Sequence, residues 1–146
     1  MLFGIEKDMP ARDVYHDAVK SALVKDGWRI TADPYKIKYE DANLFADLAA
    51  ERIIAAEQRG QKIVVEVKSF LGPSPMRDFE NALGQYILYR NLLSVTEPEY
   101  QLYLAVKEST YKNFFNRASI RLVVEQNKVS IVTVDMNKKE VLTWIH

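Results

Sequence analysis

With 146 residues, 48% of them hydrophobic, and 20 basic side chains balancing 20 acidic ones, the chain is long enough for one domain with a real core. Its neutrality argues against a globally basic nucleic-acid binder while leaving room for a local basic groove. Cysteine is absent and the only histidines are His16 and His146, which argues against a disulfide framework, a thiol nucleophile, a Ser–His–Asp mechanism and any cysteine or multi-histidine metal centre. A metal would have to be held by oxygens. No apolar run approaches the roughly 20 residues of a membrane span, and MLFGIEKDMPARD lacks the segments of a signal peptide, so a cytoplasmic protein without membrane contact is expected.

Asp8-Met9-Pro10 reads as a helix start, with Asp8 as N-cap and Pro10 in the first turn. From Ala11 to about Asp26, Val14, Ala18, Ala22 and Tyr15, Val19, Leu23 form an apolar stripe at i, i+4 spacing, and Gly27 stops the helix. His16 and Lys20 share another flank, beside Asp13 and Asp17. Gly27–Thr31 reads as a strand closed by the turn residues Asp33-Pro34. Tyr35–Tyr39 is either a second short strand or irregular, and Asp41-Ala42-Asn43 is a turn. Leu44–Ala49 is apolar except for Asp47. Its continuation, Ala50–Glu57, is ambiguous, because alanine and glutamate favour helix whereas Ile53-Ile54 suit a strand.

Gln58-Arg59-Gly60 turns the chain into Gln61–Phe70, where the β-branched Ile63, Val64, Val65 and Val67 predict a buried strand. An antiparallel hairpin with the preceding segment is expected, since so short a reversal cannot make a parallel crossover. Glu66 and Lys68, two apart, share one face of that strand. Burying either charge unpaired costs roughly several kcal/mol, so a cross-face ion pair, a bound ion or access to water has to offset it. Gly72-Pro73-Ser74-Pro75 breaks the strand and starts a helix, with Ser74 as N-cap and Pro75 at the first position, running to about Leu93. Phe79, Leu83, Ile87 and Tyr86, Arg90, Leu93 lie at helical spacing, and Gln85 and Tyr89 share a face. Tyr100–Val106 is a strand that the helix before it lets cross over in parallel. Ser109–Phe115 and Ile120–Gln126 read as short helices, and Val129–Asp135 and Glu140–Ile145 as strands joined through Met136–Lys139. No repeat, low-complexity tract or linker interrupts the chain, so residues 1–146 read as one α/β domain.

The polar residues that interrupt apolar stretches are Asp47, Glu66 and Lys68, followed by Gln85 on the next helix. Two carboxylates from neighbouring strands, with the carbonyl of Val67 between Glu66 and Lys68, supply part of an oxygen shell for a hard cation, Mg²⁺ or Mn²⁺, with waters in the remaining positions. Such an ion lowers the pKa of a bound water and neutralises charge on a scissile phosphate. Lys68 can orient that water and stabilise the transition state, and Gln85 can position the water or the phosphate. The separation of Asp47 and Glu66 is long for one tight hairpin, so a bulge or helical turn is expected between them. Glu51 is a rival first carboxylate; Asp47 is preferred because Phe45 and Leu48 flank it. Lys36, Lys38, Arg52, Lys62, Arg77 and Arg90 are candidates to line a phosphate groove. As a bland alternative, Glu66 and Lys68 are merely paired.

With Asp47, Glu66, Val67 and Lys68 as its two central motifs, the chain resembles the PD-(D/E)xK, restriction-endonuclease-like superfamily. Gln85-Tyr86-Ile87-Leu88-Tyr89 matches the Q-x-x-x-Y helix motif of its RecB-like branch, with Tyr89 as a secondary candidate. The resemblance implies a restriction-endonuclease-like core, a mixed central β-sheet flanked by helices. The resolvase-like branch often carries an acidic residue on the first helix; that place here falls at or beside His16, with Asp17 next to it, a departure from the pattern. The runs YHDAVKSALVKDGWRITADP, DLAAERIIAAEQRGQKIVVEVKSFLGPS, ALGQYILYRNLLSVTEP and LYLAV are similar to the XisH family, the fdxN-element excision controlling factors of cyanobacteria. That likeness covers nearly the whole chain. It implies a part in excising a DNA element during heterocyst differentiation, beside a site-specific recombinase and a small companion, XisI. DNA, the companion and the recombinase are then the expected partners, with Mg²⁺ as cofactor if the fold cuts. Because the recombinase already supplies strand exchange, a non-catalytic accessory factor is the alternative. The tyrosine-rich and apolar strands could also make a homodimer surface.

Overall fold

The computed structural model describes residues 11–54 and 59–146; the expected cap at Asp8 and Pro10 lies outside them. Helix α1 (Ala11–Lys25) ends at Gly27, whose φ of 95° is the left-handed conformation that lets the Trp28 N–H fold back to the Leu23 carbonyl at 3.0 Å. That cap uses up Gly27 and Trp28, so strand β1 begins at Arg29 (Arg29–Ala32) rather than at Gly27. Strands β2 (Tyr35–Tyr39) and β3 (Ala42–Ala46) form a separate two-stranded hairpin. The chain reverses at Glu40-Asp41, with Glu40 at φ 51°, one residue earlier than the expected turn.

Strands β4 (Leu48–Ile54) and β5 (Arg59–Val67) are antiparallel, as the short reversal predicts. The ambiguous segment is strand as far as Ile54, residues 55–57 lying outside the described ones: Ala50 and Glu51 pair with both β1 and β5, and the rest with β5. The expected bulge between Asp47 and Glu66 is absent from the described ladder, which runs residue for residue from Leu48↔Val65 to Ile54↔Arg59; the hairpin is simply long. Strand β5 ends at Val67 rather than Phe70. Lys68 still donates to the Ala105 carbonyl at 2.9 Å, and Phe70, at φ 53°, then carries the chain off the sheet.

Helix α2 (Pro75–Thr96) starts on Ser74, whose hydroxyl accepts from the Arg77 N–H. It crosses to β6 (Tyr100–Lys107), which lies parallel to β5. A short helical turn (Glu108–Thr110), a π-type turn (Tyr111–Phe115) and helix α3 (Ala118–Gln126) lead to β7 (Ile131–Asp135), parallel to β6. An antiparallel return makes β8 (Glu140–Ile145). The result is a mixed six-stranded sheet, ordered β1-β4-β5-β6-β7-β8, with helices on both faces.

Side-chain alternation along the central strands decides which layer each residue joins. Ile63 and Val65 of β5 face α1, packing with Val19, Leu23 and Trp28. Val64, and with it Glu66 by the period of two, faces α2. The buried face of α2 is Phe79, Ala82, Tyr86, Tyr89 and Leu93; Leu83 and Ile87, expected on it, are half-buried. Tyr86 fits the core because its hydroxyl donates to the Leu102 carbonyl at 3.0 Å and accepts from the Ser130 N–H at 2.9 Å. No described helix is long and apolar enough to cross a membrane.

Candidate active site

The β4–β5 register delivers the first two groups. Continued one step past Leu48↔Val65, it sets Asp47 opposite Glu66, and opposed residues on antiparallel strands share a face. Asp47 occupies the bend between β3 and β4, where its backbone is free of the ladder. Its N–H donates to Glu66 Oε1 at 3.2 Å, and in return the Val67 N–H donates to Asp47 Oδ2 at 2.8 Å. The two carboxylates are thus clamped at one end of the sheet. Lys68 Nζ lies 3.4 Å from Glu66 Oε2.

The charge balance of this cluster is uneven. The Glu66 side chain is 8% exposed. Burial first, and then the charge of Asp47, push its carboxyl up to about 7, against the opposing pull of Lys68. Lys68 alone does not offset the burial of Glu66 and the neighbouring charge of Asp47.

Helix α1 reaches the same end of the sheet with His16. Its Nε2 lies 2.8 Å from Asp33 Oδ1 and its Nδ1 3.6 Å from Asp47 Oδ1. Lys20, one turn on, donates to Asp33 Oδ2 at 2.7 Å. Burial pushes the Asp33 carboxyl up, but Lys20 and His16 outweigh it and hold the group below the usual carboxylate range. Asp33 in turn raises the Lys20 ammonium. From α2, Gln85 Nε2 donates to the Tyr89 hydroxyl at 2.9 Å, which donates to the Phe45 carbonyl at 3.0 Å. The Gln-Tyr pair therefore fastens the end of β3 two residues before Asp47. Burial raises the Tyr89 phenol. A cavity of about 510 Å³ opens between these groups, lined by His16, Asp33, Pro34, Asp47, Glu66, Val67, Lys68 and Ser69.

The donor set suits a hard cation: two carboxylates with charge in excess, beside the backbone of Val67. No group of three or more His, Cys, Asp or Glu side chains arranged to hold a metal occurs among the described residues, so water would complete most of a coordination shell.

A family model described as XisH protein matches residues 9–142. The chain belongs to the XisH family. It is similar to a crystal structure of an XisH family protein from Nostoc punctiforme PCC 73102, with TM-score 0.84 and 43% identity over 91% of this chain and 99% of that one. It is similar also to an fdxN element excision controlling factor protein from Anabaena variabilis, with TM-score 0.85 and 45% identity over 92% of this chain and 100% of that one. No curated protein matches.

In this XisH chain the expected residues divide by position. Asp47, Glu66, Val67, Lys68 and His16 line the cavity. Gln85 does not line it and acts on it through Tyr89. Asp17 is exposed and outside the lining. Glu51, the rival first carboxylate, is paired with Arg29 on β1 and stands opposite Lys62 in the ladder, away from Glu66. Among the candidate groove cations, Arg52 covers the Trp28 ring at 4.3 Å and Arg90 donates to the Asn127 carbonyl at 2.6 Å, both structural contacts. Lys62 lies 3.9 Å from Glu99 and Arg77 3.5 Å from Glu80. Lys36 and Lys38 are exposed on β2.

Sequence reasoning passes over Asp33 and Ser69. Asp33 reads as turn chemistry beside Pro34. The available signal is the His16/Lys20 pair one helical turn apart, two potential cations on one flank that can meet an anion from another segment as well as Asp13 and Asp17.

Proposed function

We propose that this XisH chain is a divalent-metal-dependent DNA endonuclease or nickase of the PD-(D/E)xK, restriction-endonuclease-like type, acting in excision of a DNA element. The observation that carries this reading is the reciprocal clamp of Asp47 and Glu66, with Lys68 at 3.4 Å. Asp47, Glu66 and the Val67 carbonyl would hold Mg²⁺ or Mn²⁺, with His16 Nδ1 on α1 3.6 Å from the other Asp47 oxygen, Oδ1. When bound, the ion supplies Lewis-acid neutralisation of the scissile phosphate.

The chain's own groups do the rest. Lys68 Nζ, held on the Glu66 face, hydrogen-bonds the attacking water in line with phosphorus and then the charge that builds on the phosphoryl oxygens. The Gln85–Tyr89–Phe45 chain keeps Asp47 in place. The His16–Asp33–Lys20 chain fixes one wall of the cavity.

The test is conversion of supercoiled plasmid by purified protein with Mg²⁺ or Mn²⁺, comparing wild type with Glu66→Ala and Lys68→Ala. Cleavage by wild type alone is expected; absent or equal cleavage in all three overturns the reading. A metal titration of thermal stability separates a mere Glu66–Lys68 pair from a working site. An ion at about 100 times its Kd stabilises by about 2.7 kcal/mol, and a spent site gives no shift.

The zero net charge, unusual for a protein that grips DNA alone, favours a second reading. In it the chain is a non-catalytic excision accessory factor that binds DNA, the recombinase or a XisI-like companion. Co-purification with that companion supports this second reading, and failure to bind it or element-end DNA removes it.

A further inference from the structure

The cavity at Asp47 and Glu66 does not stand alone. It shares Lys68 and Ser69 with a hollow of about 230 Å³ that extends to Gly72. That hollow shares Phe70 with another of about 230 Å³, which in turn shares Lys107 and Ser109 with one of about 350 Å³ bounded by Tyr15 and Asn137. Val67, Lys107 and Asp135 are the last residues of β5, β6 and β7. One trough therefore follows the carboxyl ends of the three parallel strands, the edge at which open α/β sheets take ligands, and it begins at the two carboxylates.

Among the acids along this trough beyond Asp47 and Glu66, Glu108 has a cationic partner, whereas Asp78 and Asp135 accept from backbone N–H groups and keep their charge. Asp78 Oδ2 accepts from the Gly72 N–H at 2.9 Å. Glu108 pairs with Lys112 at 3.5 Å. Asp135 Oδ1 accepts from the Asn137 and Lys138 N–H groups at 3.0 and 2.9 Å. Lys107 has no carboxylate partner among the described residues; its Nζ lies 3.4 Å from the Tyr15 hydroxyl and 5.5 Å from the ring centroid. The junction of the last two hollows thus carries a lysine free of direct carboxylate contact, with the neutral donors Ser109 and Asn113 on one side and Glu108 and Asp135 on the other. Leu71, in the lining of the second hollow, is 51% exposed. Lys107, the neutral donors beside it and the apolar Phe70 and Leu71 set one phosphate contact next to apolar surface, the pairing a polynucleotide offers by alternating phosphates with flat apolar bases.

We propose that the trough holds one strand of the nucleic acid beyond the cleavage position, with Lys107 contacting a backbone phosphate and Asn113 lying beside it. This rests on the nuclease reading and gives the substrate a direction across the fold. An acidic peptide could use the same lysine, but the trough opens on the site that would cut a phosphodiester, and the polynucleotide is the occupant that continuity selects.

The test is fluorescence anisotropy of a labelled single-stranded DNA oligonucleotide with Ca²⁺ present, measured over a range of salt. Losing one phosphate contact lowers the slope of log K against log salt by about 0.7 and weakens binding about fivefold near ~0.1 M salt. Lys107→Gln should show both changes, Lys107→Arg should restore both, and Asn113→Asp, at an exposed position, should weaken binding without touching Tyr15. The Mn²⁺-induced thermal shift should be unchanged in all three. If wild type binds and Lys107→Gln and Asn113→Asp bind equally well with the same slope, the strand leaves by another path and this proposal fails while the nuclease reading stands. If wild type shows neither oligonucleotide binding nor a Mn²⁺ shift, both fail.

Discussion

Glu51 and Glu66 sit on the two strands of one hairpin, and their surroundings differ in kind. Glu51 has Arg29 across one neighbouring strand and Lys62 across the other, and its side chain is 29% exposed. Glu66 is 8% exposed, has a second carboxylate clamped to it and a single lysine in reach. The first arrangement is neutralised by the sheet's own cross-strand partners. The second sets another carboxylate against a buried one, so a charge on Glu66 is costly to keep without a ligand. Charge left uncompensated inside a fold, rather than charge as such, separates the candidate site from ordinary surface pairing.

Substituting the two glutamates in parallel tests that contrast most severely. Glu66→Gln, nearly isosteric, should lower plasmid cleavage by about 10²–10⁴-fold, the usual range for loss of a positioned catalytic group. Glu51→Gln should leave it within about threefold, since a surface pair of this kind is worth roughly 0–1 kcal/mol. Equal losses would erase the distinction.

The pH dependence of metal-free stability is the next effect in size. The folded Glu66 carboxyl titrates near 7 against an ordinary 4.5, held up by burial first and Asp47 second. The native state keeps a proton that the unfolded chain releases, so stability falls as pH rises from about 4.5 and the loss is complete above about 7. The loss is on the order of 3 kcal/mol. Denaturant melts in EDTA between those limits should show it; Glu66→Gln should flatten that slope and Glu51→Gln should retain it. Asp33, held low by Lys20 and His16 against burial, acts in the opposite sense, and its contribution disappears only as pH falls below the usual carboxylate range.

Tyr89→Phe probes what fastens the site. It strands the Phe45 carbonyl and the Gln85 amide, and should cost about 1–2 kcal/mol in urea melts, together with a weaker metal-induced shift if the end of β3 does position Asp47. The smallest effect belongs to Arg29→Ala. Arg29 is 73% exposed, and removing it should change the unfolding free energy from urea melts by under about 1 kcal/mol, closing the contrast from the structural side.

Much of the fold is legible from local chemistry. The Ser74-Pro75 helix start, the β-branched run of β5 and the glycine stop at Gly27 each follow from one residue's conformational preference or hydrogen bond. Segments whose fate depends on neighbours far along the chain are not. Ala50–Ile54 becomes strand because β5 pairs with all of it and β1 with Ala50 and Glu51, and the α2 face is set by Tyr86, whose hydroxyl finds Leu102 and Ser130.

The candidate site divides along the same line. The alternation of a strand places Glu66 and Lys68 on one face from sequence alone, and a period of 3.6 residues brings Gln85 to Tyr89. Which carboxylate meets Glu66 is a matter of register, and a ladder without a bulge selects Asp47 over Glu51. The meeting of His16 with Asp33, 17 positions away, rests on how α1 lies across the end of the sheet. Short-range periodicity fixes what neighbours along the chain can share, whereas contacts between elements depend on register and packing, which no single segment encodes.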